Sequence, residues 1–167
     1  MRQRHQDNNW IYNIYLIAEA GFTGTMYVHL IQHYVQKPRL HITVLVLLTG
    51  LYIYELNIHG IFVFNSTTTT VLSIVLVFYG LYFYYLLIKD PRHFNLNRHP
   101  EFWWVAGSLL FYYTTTVSAL YFAVFNTEIK KIYTYRHYAY LCFNIILYGC
   151  WSYSFICRYR QRKLIPS

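Results

Sequence analysis

The stretch TVLSIVLVFYGLYFYYLLI, residues 70–88, carries no charged side chain and is closed by Lys89 and Asp90. As a helix rising 1.5 Å per residue it covers about 28 Å, close to the roughly 30 Å hydrocarbon core of a bilayer. Reading it as a spanning helix decides the class of the chain, because comparable runs recur on both sides. Spanning helices are predicted at about 11–35, 42–63, 69–88, 101–126 and 138–158. Gly and Pro punctuate the gaps, in QKPRLH (36–41), NIHG (57–60) and KDPRHFNLNRHP (89–100). The expected fold is all-α: one polytopic bundle of five membrane helices over residues 1–167.

Composition agrees. The chain is 56% hydrophobic and 22% aromatic, with only 12% charged residues. Soluble domains carry about 25% charged residues, and one small core could not hide this much apolar surface. Lipid is the natural place for it. The head lacks a short apolar core followed by a small-residue cleavage site, so the first span is expected to stay. The net charge of +8 and pI near 9.4 would suit nucleic acid. The basic residues fall between apolar runs and in the tail, however, which places them beside anionic headgroups instead.

Lys and Arg also set the expected orientation. One side would hold Arg2, Arg4, Lys130, Lys131 and Arg136. The other would hold Lys37, Arg39, Lys89, Arg92, Arg98, Arg158, Arg160, Arg162 and Lys163. The richer side should face the cytoplasm, leaving the N-terminus outside and the C-terminus inside. Arg158, Arg160, Arg162 and Lys163 then form a basic stop beside lipid, or alternatively a docking peptide for a soluble partner. Trp10, Tyr12, Trp103, Trp104 and Tyr159 fall near predicted helix ends, where amphipathic rings suit the interface.

Polar residues inside the spans are the candidate site. Glu19 lies about 13 Å in from Trp10 along a helix, and a carboxylate at that depth usually faces a bundle interior. Tyr12, Tyr15, Glu19, Thr23 and Met26 share its face, with Asn13 on another. Glu55, Thr114, Thr115, Thr116, Ser118 and Asn144 are expected at a similar outer level. Two readings follow: interhelical hydrogen bonds, or a ligand- or proton-sensing layer around Glu19, Tyr15, Glu55, Thr115 and Asn144. For Glu55 the simpler reading is a local pair with His59 one turn on.

His29 and His33 stand at i, i+4, a spacing that suits metal ligands; with His41 at the same level, haem is the other option. Interface histidines are the plainer reading, and no metal or cofactor is expected. Cys142, Cys150 and Cys157 form no CxxC pair and read as small packing residues. Asn65-Ser66-Thr67 matches a glycosylation acceptor in the outer loop. In AEAGFTGT (18–25), Ala20 and Gly24 have the spacing of close helix packing. No P-loop, GxSxG, HExxH or CxxC is present, so an enzyme is not expected.

NNWIYNIYLIAEA (8–20), FNSTTTTVLSIVLVFYGLYFYYLLIKD (64–90) and HPEFWWVAGSLLFYYTTT (99–116) resemble, in that order, a group of small bacterial inner-membrane proteins of unknown function. The resemblance covers about residues 8–125. Members are often encoded beside sensor histidine kinases. It implies a sensory or accessory component of a signalling system in the bacterial inner membrane, acting through a separate chain such as a histidine kinase. It supplies no catalytic residues. A small transporter or channel subunit with a polar site around Glu19 is the alternative, and a haem-bearing redox subunit the third.

Overall fold

A computed structural model of the chain describes residues 8–35, 38–91, 96–125 and 130–164. Five α-helices follow one another: α1 (Asn9–Gln32), α2 (Pro38–His59), α3 (Ser66–Lys89), α4 (Pro100–Phe125) and α5 (Lys130–Leu164), with a 3-10 turn at Leu96–Arg98. Among the described residues, four segments are long and apolar enough to cross a membrane: 9–32, 41–59, 66–89 and 138–163. The all-helical, membrane-compatible architecture read from the sequence is therefore present. α4 is 26 residues long and is not one of these four.

Helix ends follow local chemistry. Pro38 and Pro100 occupy first helical positions, where a missing N–H costs nothing and the fixed φ suits the helix. α2 stops at His59 rather than at 63 as predicted. Gly60 adopts φ +74°, and its N–H donates to Leu56 O at 2.8 Å, closing the end with a left-handed cap. Ile61 to Val63, expected to finish the helix, form a loop instead. α5 exceeds its prediction at both ends, because Lys130–Arg136 and Tyr159–Leu164 remain helical despite their charge. Arg162 and Lys163 in its last turn complement the helix dipole.

By packing, the chain falls into two compact units, Met1–Leu72 and Ser73–Ser167. In the first, α1 buries Asn13, Leu16, Thr23, Tyr27, Leu30 and Ile31. Their spacing of three, four and seven gives one face. Asn13 is fully buried on it; of the face expected to point inward, Thr23 is buried, Glu19 and Met26 are half-buried, and Tyr12 and Tyr15 are exposed.

In the second unit α4 and α5 pack side by side. Trp104 and Trp151 stack with centroids 5.5 Å apart and ring planes 4° from parallel. The Trp151 indole N–H donates to Ser108 Oγ at 3.1 Å, and Ser108 Oγ donates to Trp104 O at 3.0 Å. Trp104 is thus a core ring, only 4% exposed, and not the interface ring its position suggested. Close approach occurs at Gly107, where a Cβ would lie 2.7 Å from Cys150 Cβ and 3.2 Å from Leu147 O. The Ala20/Gly24 spacing does not serve that purpose: no described atom lies within 4 Å of a Cβ placed at Gly24. Gly107→Ala should force α4 and α5 apart and destabilise the protein by about 1–3 kcal/mol, the usual cost of overpacking. Gly24→Ala should be neutral or slightly stabilising. Denaturation in mixed detergent–SDS micelles, run on both variants, checks the pair.

Candidate functional site

Two asparagines one turn apart on α1 hold the α2–α3 loop. Asn13 Nδ2 donates to Ile61 O and to Val63 O, both at 2.8 Å. Asn13 Oδ1 accepts from Asn65 N at 3.1 Å. Asn9 Nδ2 donates to Phe62 O at 3.1 Å. One amide therefore uses both its N–H groups and its oxygen on backbone that no helix satisfies. The Tyr52 hydroxyl on α2 donates to Asn13 O at 3.3 Å, and Tyr12 sets its ring edge-on to Phe64 at 6.4 Å.

Glu55, on the last turn and a half of α2, reaches the start of α3. Its carboxylate accepts from Thr67 N at 3.0 Å, Thr68 N at 2.9 Å and Thr68 Oγ1 at 2.6 Å. The first N–H groups of a helix have no partner within it and carry partial positive charge. Capping usually comes from the residue just before the helix; here it arrives from the preceding helix. Glu55 does not pair with His59, which is exposed. The local reading fails because two amides and the Thr68 hydroxyl at the start of α3 offer the carboxylate three hydrogen bonds where an exposed imidazole offers one. Asn65, the residue before α3, is fully buried. Its side-chain carboxamide has no hydrogen-bond partner among the described residues. A glycan on this side chain would have no room in the fold, which is at odds with the acceptor motif being used.

In the second unit, the end of α5 is pinned by one face. Arg158 Nη2 lies 3.2 Å from Glu101 Oε1, and His99 Nδ1 lies 3.0 Å from Glu101 Oε2. Gln161 Nε2 donates to Arg98 O at 3.0 Å. The Cys157 thiol sits 3.8 Å from Asn97 O, which also accepts from Trp103 Nε1 at 3.1 Å. Arg160, Arg162 and Lys163 remain exposed. Lys163 Nζ stands 4.8 Å over the Tyr159 ring.

Comparison with protein-family models, curated proteins and solved structures finds no match. The chemistry of the site must be read from the chain's own residues.

The residues singled out in sequence fall into several settings. Glu19 is half-buried in α1 and Tyr15 exposed beside it; Glu19 O accepts the Thr23 hydroxyl at 2.6 Å. Glu55 is committed to α3. Thr115 donates to Tyr112 O at 2.9 Å and lies 3.5 Å from Ser73 Oγ. Asn144 donates to Tyr140 O of its own helix at 2.9 Å. So Glu55, Thr115 and Asn144 each bond within their own unit. His29 and His33 are exposed at the end of α1. No group of three His, Cys, Asp or Glu among the described residues could hold a metal ion. The three cysteines are free; Cys157 is buried and Cys150 half-buried, as packing residues should be, but Cys142 is exposed. Asn13 and Gly107 are the residues that sequence reasoning missed.

Proposed function

We propose that the chain is a five-span protein of the bacterial inner membrane, N-terminus outside and C-terminus inside. In this reading it is a non-enzymatic sensory or accessory component that works through a separate signalling chain. The exposed basic end of α5 carries the proposal. Cys157, Arg158 and Gln161 hold that end by one face, which leaves Arg160, Arg162 and Lys163 directed elsewhere. At 35 residues, α5 is about 52 Å long, more than a 30 Å hydrocarbon core can cover. A rigid basic helix leaving the membrane suits an acidic surface on a cytoplasmic or membrane partner such as a histidine kinase.

Five spans are supported by α4. It has no charged residue after Glu101 and packs along α5, which is itself apolar enough to span. The orientation is supported by the Lys and Arg asymmetry between loops. The resemblance to small inner-membrane proteins encoded beside sensor kinases supports the choice of partner. Glu19, with Tyr15, is where a ligand or proton would be sensed. The transporter reading uses the same residue, but broken spanning helices, its usual hallmark, are lacking among the described residues.

Mild-detergent purification of the tagged protein from its host, with co-purifying chains identified by mass spectrometry, is the test. A signalling chain should co-purify and be lost from the triple variant Arg160→Gln, Arg162→Gln, Lys163→Gln. Transport subunits alone would sink the proposal. A reporter fused after Ser167 should behave as cytoplasmic.

A further inference from the structure

We propose that the α2–α3 loop is immersed in lipid, with Phe62 and its neighbours lying among the acyl chains near the headgroup boundary. Ile61, Phe62, Val63 and Phe64 are consecutive and exposed, at 43%, 70%, 48% and 41%. In water, four such residues in a row at a loop tip would be an aggregation liability.

The backbone tells more than the side chains. Every carbonyl from Gly60 to Asn65 accepts a hydrogen bond from the protein. Gly60 O accepts from Val63 N at 3.5 Å, Phe64 O from Ser66 N at 2.9 Å, and Asn65 O from Thr69 N at 3.2 Å. Asn13 supplies Ile61 O and Val63 O, and Asn9 supplies Phe62 O. A loop in water leaves such groups to solvent. In hydrocarbon each must be met internally, and lipid-exposed irregular backbone is excluded from its depth. The Ile61, Phe62 and Phe64 N–H groups have no acceptor among the described residues, which holds the loop at the boundary, where lipid ester and phosphate oxygens can accept them. Asn9 and Asn13 therefore stand where water would in a wet loop, and Glu55 does the same for the first N–H groups of α3.

Charge points the same way, because no Asp, Glu, Lys or Arg occurs between Glu55 and Lys89. Depth follows from α1. The loop is level with Asn9 and Asn13, the first turns of that helix, beside Trp10, a residue suited to the interface. Asn57, His59 and Ser66 are exposed around the loop, which keeps it at the boundary rather than at mid-bilayer. The occupant of this surface is thus the acyl and glycerol region of the leaflet on the α1 N-terminal side.

The test is a nitroxide at Phe62→Cys, in a full-length chain with Cys142→Ser, Cys150→Ala and Cys157→Ala, reconstituted in phospholipid vesicles. Collisions with oxygen should exceed those with a water-soluble nickel chelate. A label at Arg160→Cys in the same background should show the reverse. Nickel exceeding oxygen at position 62 would make the loop wet and overturn the inference. Low collision rates with both would show it covered by protein, such as a second copy, and also overturn it. Benzoylphenylalanine in place of Phe62 leaves the native cysteines untouched. Irradiation should give a lipid adduct; a chain–chain adduct, or none, counts against the proposal. Reconstitution itself tests the membrane placement, so a wet label on a reconstituted chain removes the loop assignment alone.

Discussion

Asn13→Leu should be the most damaging single substitution in the first unit. Leucine has the same number and branching of side-chain heavy atoms as asparagine but is bulkier, so the site stays filled while its chemistry disappears. Ile61 O and Val63 O lose their donors, and Asn65 N loses its acceptor. Asn13 is fully buried, so the abandoned groups gain little water in return. A buried polar group left unmet costs about 1–3 kcal/mol. Three such groups, allowing for partial relaxation of the loop, give an expected loss of about 3–5 kcal/mol. That is a large part of the roughly 5–15 kcal/mol that holds a typical domain together. Asn13→Asp should fare no better, because a carboxylate cannot donate to two carbonyls. The SDS fraction at half-unfolding should fall sharply for both variants, and their folded yield with it. A wild-type midpoint for Asn13→Leu would mean that the loop is held by something other than this amide.

The helices were legible in the sequence because spanning segments announce themselves by length and by freedom from charge. The start of α4 was legible at Pro100, but the end of α2 that Gly60 sets was not, because the apolar run IFVF continues past it. Inward faces were not. In a soluble helix the buried stripe is apolar and the opposite face polar. A helix in lipid is apolar on both, so α1 gave no periodic signal that Asn13 rather than Glu19 points inward. The partners of Asn13 lie about fifty residues away, and nothing local to YNIY reveals them. Glu55 shows the same blindness at shorter range. Its neighbour at i+4 is His59, and local rules select it, yet the groups it satisfies are amides of the next helix. Gly107 was missed for a related reason. Small residues in VAGS, 105–108, are a packing signal of the same kind as AEAGFTGT, and only the path of α5 shows which is used. Trp104 was misplaced because an aromatic near a helix start suits both an interface and a stacked core.

Glu55→Gln should cost about 2–3 kcal/mol, and the reasons are separable. A carboxylate offers acceptor sites on both oxygens, and here three donors use them: Thr67 N, Thr68 N and Thr68 Oγ1. A carboxamide keeps one oxygen and turns an NH2 group toward donors. At least one α3 amide is then left unmet, and hydrogen bonds to a charged group, worth about 1.5–3 kcal/mol, become neutral ones. The negative charge at the helix start, worth about 0.3–2 kcal/mol, is lost as well. The first turn of α3 should fray, so the Thr67 and Thr68 amides should exchange hydrogen faster while mid-helix amides do not. His59→Ala is the control that separates this account from a local ion pair. Since His59 is exposed and Glu55 does not use it, the change should stay within about 0.5 kcal/mol. Equal losses for Glu55→Gln and His59→Ala would restore the pair and remove the cap. Combining Glu55→Gln with Asn13→Leu should lose less than the two separately. Both variants release the segment 60–68, and a segment already freed cannot be freed again.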